Sequence, residues 1–285
     1  MSTAELRDVL RCLVDASAAE AAALVRRVPT SPLAEALAPQ LDAAAEGGVY
    51  DEPTGFDVFI SEGSNPTLYA ATIDRLTTVH AAVSPSAVLD VGCGDGRVTA
   101  GVVAPGTVVT LVEPSAALLA EAESAVVTSG ASVTAFTTGI DTHLDGLDAD
   151  IGWDLVQSTF ALHTLEPTTR ATVLADLAER TGRLAMIDFD VPDLDPTSDA
   201  WLSHLVTRYE IGVAEYTDHR EAVDGFLVPV LLGQLDPDRP RHTFEQPAVA
   251  WAEQLEAAGF IDVRIEPVAD YWWAPAFLIQ ANGRR

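Results

Sequence analysis

Short apolar runs alternate with helical patterns between residues 87 and 189. Each apolar run has the length of a buried strand, and the stretches between the runs carry apolar residues at helical spacing. Strands that alternate with helices form a parallel sheet with helices packed on its faces. The five strands predicted in this region are 87–91, 108–112, 132–137, 153–157 and 183–189.

The chain on either side of this region completes the predicted architecture. Two further strands, 261–265 and 276–281, predict a final hairpin. Helical patterns precede the first strand, and an insertion follows the fifth strand, where substrate lids are usually placed. We therefore predict an α/β, doubly wound, mostly parallel sheet of seven strands. It would comprise a helical cap (1–80) and a sheet domain (81–285) with a lid (191–245).

The charge of the chain limits its partners. The 285 residues carry a net charge of −27, and all sixteen basic residues are arginine. Such a surface repels nucleic acid and anionic membranes, and it attracts cations. An alanine-rich, lysine-free composition is also typical of high-GC genomes or of salt adaptation, which would say little about a substrate. We expect no nucleic-acid or membrane partner, and a cationic substrate is one hypothesis.

The composition also bears on compartment, metal binding and assembly. There is no apolar run of about 18 residues, and the first residues are polar and acidic, so we expect neither a membrane span nor a secretory signal. Cys12 and Cys93 form no motif, and the six histidines show no metal-ligand spacing. We expect a soluble, cytoplasmic protein without a metal. A homodimer through the N-terminal helices is a further hypothesis.

A glycine-rich turn follows the first predicted strand. Its glycines are Gly92, Gly94 and Gly96. Glycines at such a turn let a ligand approach the backbone N–H groups closely. The dinucleotide fingerprint would require its third glycine at position 97, which is Arg97. The spacing therefore argues against an NAD-dependent oxidoreductase.

The segment from Val88 to Gly96 resembles the first motif of class I methyltransferases that use S-adenosylmethionine (SAM). The similarity covers residues 86–190 well and the last thirty residues loosely. It implies a Rossmann-like fold and SAM as the cofactor. It also implies that Asp90 orders the glycine turn and helps to hold the methionine part of SAM.

The same resemblance implies further cofactor-binding residues. Glu113, followed by Pro114 after the second strand, would accept hydrogen bonds from the two ribose hydroxyls. Asp141 would meet the adenine amino group, and Gln157 and Ser158 would lie near the sulfur of SAM. Each residue taken singly has another interpretation: Asp90 as a helix cap, Glu113 as a solvated strand end, or Asp141 as a loop acid. Their joint spacing favours the cofactor interpretation.

His163 is the candidate catalytic residue. The stretch 161–165 resembles one that is common in methyltransferases of small molecules. His163 would act as a general base, or it would only pack and hydrogen-bond at the start of a helix. The sequence lacks the Pro-Pro motif typical of enzymes that methylate base or amide nitrogens, and it lacks the ligands of magnesium-dependent methyltransferases.

Aromatic residues in and beside the predicted lid suggest the substrate. Aromatic rings and carboxylates suit an ammonium group, although an aromatic stripe at helical spacing is more often part of a core. The N-terminal helices and the segments 241–247 and 271–275 resemble tailoring methyltransferases of daptide-type ribosomal peptide pathways. That resemblance implies N-methylation of an amine on a peptide or small-molecule natural product. The alternatives are O-methylation of a hydroxyl and a SAM-binding protein without catalysis. The candidate substrate residues are Tyr209, Tyr216, Trp272, Trp273 and Asp188.

Overall fold

The structure, a computed structural model, describes residues 3–15, 17–28, 31–45, 55–148, 150–236 and 243–285. The chain divides into two compact units. The first unit consists of residues 1–67, 193–241 and 271–274. The second unit, residues 68–192, 242–270 and 275–285, contains the sheet.

The second unit is built on one seven-stranded sheet with the order β3-β2-β1-β4-β5-β7-β6. The first five strands pair in parallel, and β7 is antiparallel to both of its neighbours. This confirms the predicted α/β class and the mostly parallel seven-stranded sheet. The strands are β1 (Ala87–Val91), β2 (Val108–Val112), β3 (Ser132–Phe136), β4 (Trp153–Thr159), β5 (Thr181–Phe189), β6 (Ile261–Ala269) and β7 (Ala276–Asn282).

Helices cover the sheet through two separate apolar clusters. One cluster joins the strands to helices that include Leu177 and Trp251. The other joins them to helices that include Leu76 and Leu119. Burial of this kind stabilises a fold by roughly 25 cal/mol per Å² of apolar surface. The helices of this unit are α5 (Asn65–Val83, whose first three residues belong to the first unit), α6 (Arg97–Val102), α7 (Ala116–Thr128), α8 (Ile140–Asp145), α9 (Pro167–Arg180) and α13 (Ala248–Ala258).

The strand order reverses between β1 and β4, and this reversal positions the candidate site. In the register of the two strands, Asp90 lies opposite Gln157 and Val91 lies opposite Ser158. Open α/β sheets bind ligands outside the carboxyl ends of the strands at such a switch point. The glycine turn follows β1 at this edge, and Phe160 follows β4.

The first unit is helical. Arg11 on α1 donates hydrogen bonds to the Thr197 carbonyl and to Asp199 at 2.6 and 2.7 Å. The first of the helical patterns that precede the sheet consists of two separate helices, α1 and α2. Apolar residues such as Leu6 and Leu37 are buried within this unit. The homodimer predicted through the N-terminal helices stays a prediction. The helices are α1 (Thr3–Val14), α2 (Ala18–Val25), α3 (Pro32–Ala45), α4 (Phe56–Ser61), α10 (Asp199–Glu215), α11 (Arg220–Ala222) and, after a π-helical stretch (Val223–Leu227), α12 (Val228–Leu235).

A hydrogen-bonded group of buried side chains joins three segments of the first unit. The Asn65 amide donates to the Tyr216 hydroxyl at 2.6 Å, and the Tyr271 hydroxyl donates to Asn65 at 3.1 Å. The Tyr216 hydroxyl in turn donates to the Phe59 carbonyl at 3.0 Å. Buried polar groups need such partners, so this group fixes Tyr216 in the core. Within the described part of the chain, no helix has the length and apolar character required to cross a membrane.

Candidate active site

The glycine turn has three glycines with left-handed backbone angles: φ is +68° at Gly92, +55° at Gly94 and +75° at Gly96. A Cβ atom at Gly92 would lie 2.4 Å from the Ala161 side chain, and one at Gly96 would lie 2.6 Å from the Ala122 backbone. A Cβ atom at Gly94 would meet no atom of the described residues within 4 Å. Gly92 and Gly96 therefore permit close packing, whereas Gly94 borders open space.

Glu113 closes this turn from the end of β2. Its carboxylate accepts the backbone N–H groups of Gly94 at 3.1 Å and of Ser115 at 2.9 Å. The Glu113 side chain lies directly after the strand, as predicted, and it is buried rather than solvated. The structure thus brings Glu113 and Gly94 together, and the adjacent Pro114 is exposed.

Asp90 lies beneath the turn in a chain of buried polar groups. The Thr99 hydroxyl donates to the Asp90 carboxylate. The Gln157 amide donates to the Thr99 hydroxyl at 2.8 Å, and its carbonyl accepts Nε2–H of His80 at 2.8 Å. Burial raises the pKa of Asp90 to about 6, although the hydrogen bonds from Thr99 and Gln157 lower it.

This burial makes a testable contribution to stability. Asp90 has a higher pKa in the folded chain, about 6, than its ordinary value of 3.8. The folded state therefore holds the proton more tightly, and the free energy of unfolding should fall as pH rises from 4 to 6. We expect Asp90→Asn to remove this dependence, worth up to about 3 kcal/mol. Urea unfolding of both proteins at pH 4, 5, 6 and 7 measures it. A difference between the two proteins that does not change with pH would contradict the assignment.

The other predicted cofactor residues lie in different surroundings. Gln157 is fully buried, and both ends of its amide are bonded within the chain. The Ser158 hydroxyl donates to the Val91 carbonyl at 3.0 Å. Asp141 is exposed in the first turn of α8, where a Cβ atom at Gly139 would lie 2.5 Å from its carboxylate. Direct cofactor contacts of these three residues stay predictions.

His163 and Asp188 form a hydrogen-bonded pair at the ends of β4 and β5. Nδ1 of His163 lies 2.9 Å from the Asp188 carboxylate. Burial alone would lower the pKa of His163, but the charge and hydrogen bond of Asp188 raise it above its ordinary value. Among the residues that the structure describes, Nε2 of His163 has no hydrogen-bond partner. The bond to Asp188 leaves that nitrogen as the available proton acceptor.

Asp188 has a second, unsatisfied oxygen. The side chain is fully buried; Oδ1 also accepts the Phe189 backbone N–H at 2.8 Å, and Oδ2 has no partner among the described residues. Leaving a buried acceptor without a partner costs roughly 1–3 kcal/mol, and more for a charged group. Such an atom marks a place where a ligand with an N–H or O–H group would gain a hydrogen bond.

An aromatic pair lies beside this histidine and aspartate. The rings of Phe160 and Phe189 are stacked, with centroids 4.6 Å apart and planes inclined by 12°. Phe160 has a left-handed backbone with φ of +52°. Bulky residues rarely adopt this conformation, and such strain clusters at functional sites. The stack and the His163–Asp188 bond together tie the ends of β4 and β5.

The four aromatic residues predicted to bind the substrate form part of the core of the first unit. Tyr209 and Trp272 lie 5.5 Å apart between ring centroids, and Trp272 and Trp273 lie 6.1 Å apart. These residues and Tyr216 are buried. Their positions favour the packing interpretation over the substrate interpretation.

Sequence reasoning did not identify several residues of this region. Thr99 bonds directly to Asp90, and His80 is linked to it through Gln157, which lies 77 residues from His80. Arg170 is almost fully buried, with its guanidinium 4.2 Å from the Trp251 ring. A lone arginine in a helical pattern carries no signal of burial. No group of three or more potential metal ligands occurs within the described ranges.

Comparison with known proteins gives the class. Residues 88–182 match the family model described as "Methyltransferase domain". No curated protein sequence gives a significant match. The chain is similar to the solved structure of Burkholderia thailandensis 1,6-didemethyltoxoflavin-N1-methyltransferase with bound 1,6-didemethyltoxoflavin and S-adenosylhomocysteine. The identity is 19%, the alignment covers 90% of this chain and 92% of that chain, and the TM-score is 0.52.

A second solved structure is magnesium protoporphyrin IX methyltransferase (ChlM) from Synechocystis PCC 6803 with bound S-adenosylhomocysteine. It has 16% identity, covers 75% of this chain and 82% of that chain, and has a TM-score of 0.49. The fold shared with the Burkholderia protein is that of class I methyltransferases. The domain match over residues 88–182 and this shared fold support a SAM-dependent methyltransferase.

Proposed function

We propose that this enzyme transfers the methyl group of SAM to an amine of a peptide or small-molecule natural product, with His163 as the general base. The observation that carries the proposal is the His163–Asp188 pair. It presents an unpartnered Nε2 and an unpartnered buried carboxylate oxygen at the carboxyl edge of the sheet. The resemblance to daptide-type tailoring enzymes supports a peptide-borne amine.

The residues at the glycine turn fit SAM. The open space at Gly94 would accommodate the methionine part, and the Glu113 carboxylate would accept the ribose hydroxyls. Asp141 would meet the adenine. The structurally similar ChlM and toxoflavin enzymes were solved with S-adenosylhomocysteine. SAM supplies an electrophilic methyl group, so the protein needs only to align the acceptor, exclude water and remove a proton.

His163 would remove that proton. With Nδ1–H donated to Asp188, Nε2 keeps its lone pair and accepts the proton of the attacking group. Because Asp188 raises the pKa of His163, the base is protonated at low pH and free at high pH. We expect the rate to rise with pH through the pKa of His163.

An amine is favoured over a hydroxyl for electrostatic reasons. Oδ2 of Asp188 would accept a hydrogen bond from an N–H group of a bound ammonium or amine. The net charge of −27 would also attract a cation from solution. A hydroxyl acceptor gains the hydrogen bond but not the long-range attraction.

Glu113→Ala tests the cofactor site. We expect SAM binding to weaken by roughly 1–3 kcal/mol, because hydrogen bonds to a charged group are lost and the turn at Gly94 loses its carboxylate. Calorimetric titration with SAM measures the change. The matched control is Glu123→Ala, which removes an exposed glutamate from α7. An unchanged dissociation constant for Glu113→Ala would remove this residue from the site.

A matched peptide library tests the acceptor. Each peptide is made twice, once with a free N-terminal amine and once with a hydroxyl in place of that amine. Transfer of label from methyl-labelled SAM is then measured at 0.1 and 1 M salt, where the screening length is about 10 and 3 Å. We expect faster, salt-sensitive transfer to amine peptides, rising with pH. Preferred, salt-insensitive transfer to hydroxyl peptides would instead establish O-methylation. SAM binding without any transfer would indicate a non-catalytic protein.

A further inference from the structure

The segment 243–247, which we call the strap, is fixed against the ends of β4 and β5. The Phe244 backbone N–H donates to the His163 carbonyl at 2.6 Å. Gln246 forms a parallel bridge with Asp190, whose carboxylate accepts the Ala248 backbone N–H at 2.8 Å. The strap therefore lies directly beside the candidate base.

Arg170 on α9 holds the strap on both sides of residue 245. Its guanidinium donates to the Phe244 carbonyl at 2.8 Å and to the Gln246 side chain at 3.0 Å. It also stacks on Trp251 and donates to Gln254 at 3.0 Å. These contacts leave the buried arginine little freedom, so the backbone at residue 245 has one position relative to His163.

Glu245 is the acidic residue at that position. Its side chain is half-buried, and none of the described residues forms a hydrogen bond with its carboxylate. Three charged groups around His163 affect its pKa besides burial: Asp188 and Glu245 raise it, and Arg170 lowers it. A half-buried carboxylate without a partner beside the base would bind a cationic group.

We propose that Glu245, positioned by Arg170, selects a protonated amine as the acceptor. This inference rests on the proposed function, because it assumes that the acceptor reaches His163. The ammonium would be held by Glu245 and by Oδ2 of Asp188 before it gives its proton to Nε2 of His163. The N–H bond that breaks leaves its electron pair on the nitrogen, and that pair would form the new bond to the methyl group. The bond between the methyl group and the sulfur of SAM would break at the same time, with its electron pair going to the sulfur, so that S-adenosylhomocysteine leaves and His163 holds the proton. A neutral hydroxyl would gain little from Glu245.

The kinetic test compares Glu245→Gln with Glu253→Gln, which neutralises an exposed glutamate on α13. For Glu245→Gln we expect the KM of amine peptides to rise about tenfold or more, because a bond to a charged group is weakened. The KM of hydroxyl peptides and the dissociation constant of SAM should not change. Glu253→Gln should resemble the wild type, and Glu245→Asp should restore part of the selectivity. Equal changes for both peptide versions, or no change, would overturn the proposal.

A second measurement needs no acceptor. NMR titration of the histidine rings, with the His163 signal assigned by its loss in His163→Asn, follows the pKa of His163 directly. Glu245→Gln should lower this pKa, because a negative charge beside the imidazolium is removed. An unchanged pKa would contradict the placement of Glu245. If the wild type methylates neither peptide version, the proposed function fails, and the NMR titration still decides the position of Glu245.

Discussion

Replacing Gly94 with valine is expected to abolish SAM binding while the chain stays folded. Gly94 borders open space, and a branched side chain there would occupy the volume assigned to the cofactor. The left-handed backbone at φ of +55° adds strain of roughly 1–2 kcal/mol, which is small against a typical stability of about 5–15 kcal/mol. Calorimetric titration with SAM, together with a thermal unfolding curve, measures both effects.

Gly106→Val is the matched control for this prediction. Gly106 is also left-handed, with φ of +87°, and a Cβ atom there would also meet no neighbour within 4 Å in the part of the chain that the structure describes. It lies in the turn before β2, at the opposite edge of the sheet from the glycine turn. Both variants should lose similar stability, and only Gly94→Val should lose SAM. Normal SAM binding by a folded Gly94→Val protein would defeat the assignment of the turn.

Replacing His163 with alanine is expected to lower turnover on the order of 100-fold or more with SAM affinity preserved. The physical reason is the loss of the proton acceptor at Nε2, which Asp188 orients through Nδ1. Single-turnover transfer of labelled methyl to the best peptide of the library, with a parallel SAM titration, measures this change. A loss smaller than threefold would support the packing interpretation of His163.

His163→Asn separates catalysis from packing. Its amide N–H can still donate toward Asp188, but it provides no basic nitrogen in place of Nε2. If the histidine acts as a base, the asparagine variant should be as slow as the alanine variant. Its rate should also lose the rise with pH that the wild type shows. Near-normal turnover by His163→Asn would show that the side chain only supports the structure.

The sequence predicted the sheet well because the sheet depends on local patterns. The strand β1 and the strand β2 have the predicted bounds, since short apolar runs bounded by turns leave few alternatives. The antiparallel insertion of β7 between β5 and β6 depends on pairing between distant residues. The predicted hairpin identified β6 as one neighbour of β7, but it did not identify β5 as the other neighbour.

Around the glycine turn, the sequence predicted which strand ends lie together but not how each side chain is oriented. Gly94 and Glu113 follow β1 and β2 and meet because parallel strands bring their carboxyl ends together, although their hydrogen bond was not predicted. Their role in binding the cofactor stays a prediction. Asp90 and Gln157 are turned into the protein instead, into a chain that ends at His80. Whether a side chain at the end of a strand points toward the glycine turn or into the protein depends on tertiary packing.

The residues around His163 illustrate the same limit. The His163–Asp188 bond joins residues that were each selected for a role, but their contact was not predicted. Arg170 and Glu245 were not selected, because a buried arginine and an unpartnered acid have no local sequence signature. Trp272 and Trp273 were selected as aromatic residues beside the predicted lid, and the structure places them in a core.

The most direct test of the account is a calorimetric titration of the wild-type chain with SAM and, separately, with NAD. We expect one SAM to bind per chain and no binding of NAD, because Arg97 stands where the dinucleotide fingerprint requires its third glycine. Tight binding of NAD and none of SAM would contradict the account and would indicate an oxidoreductase.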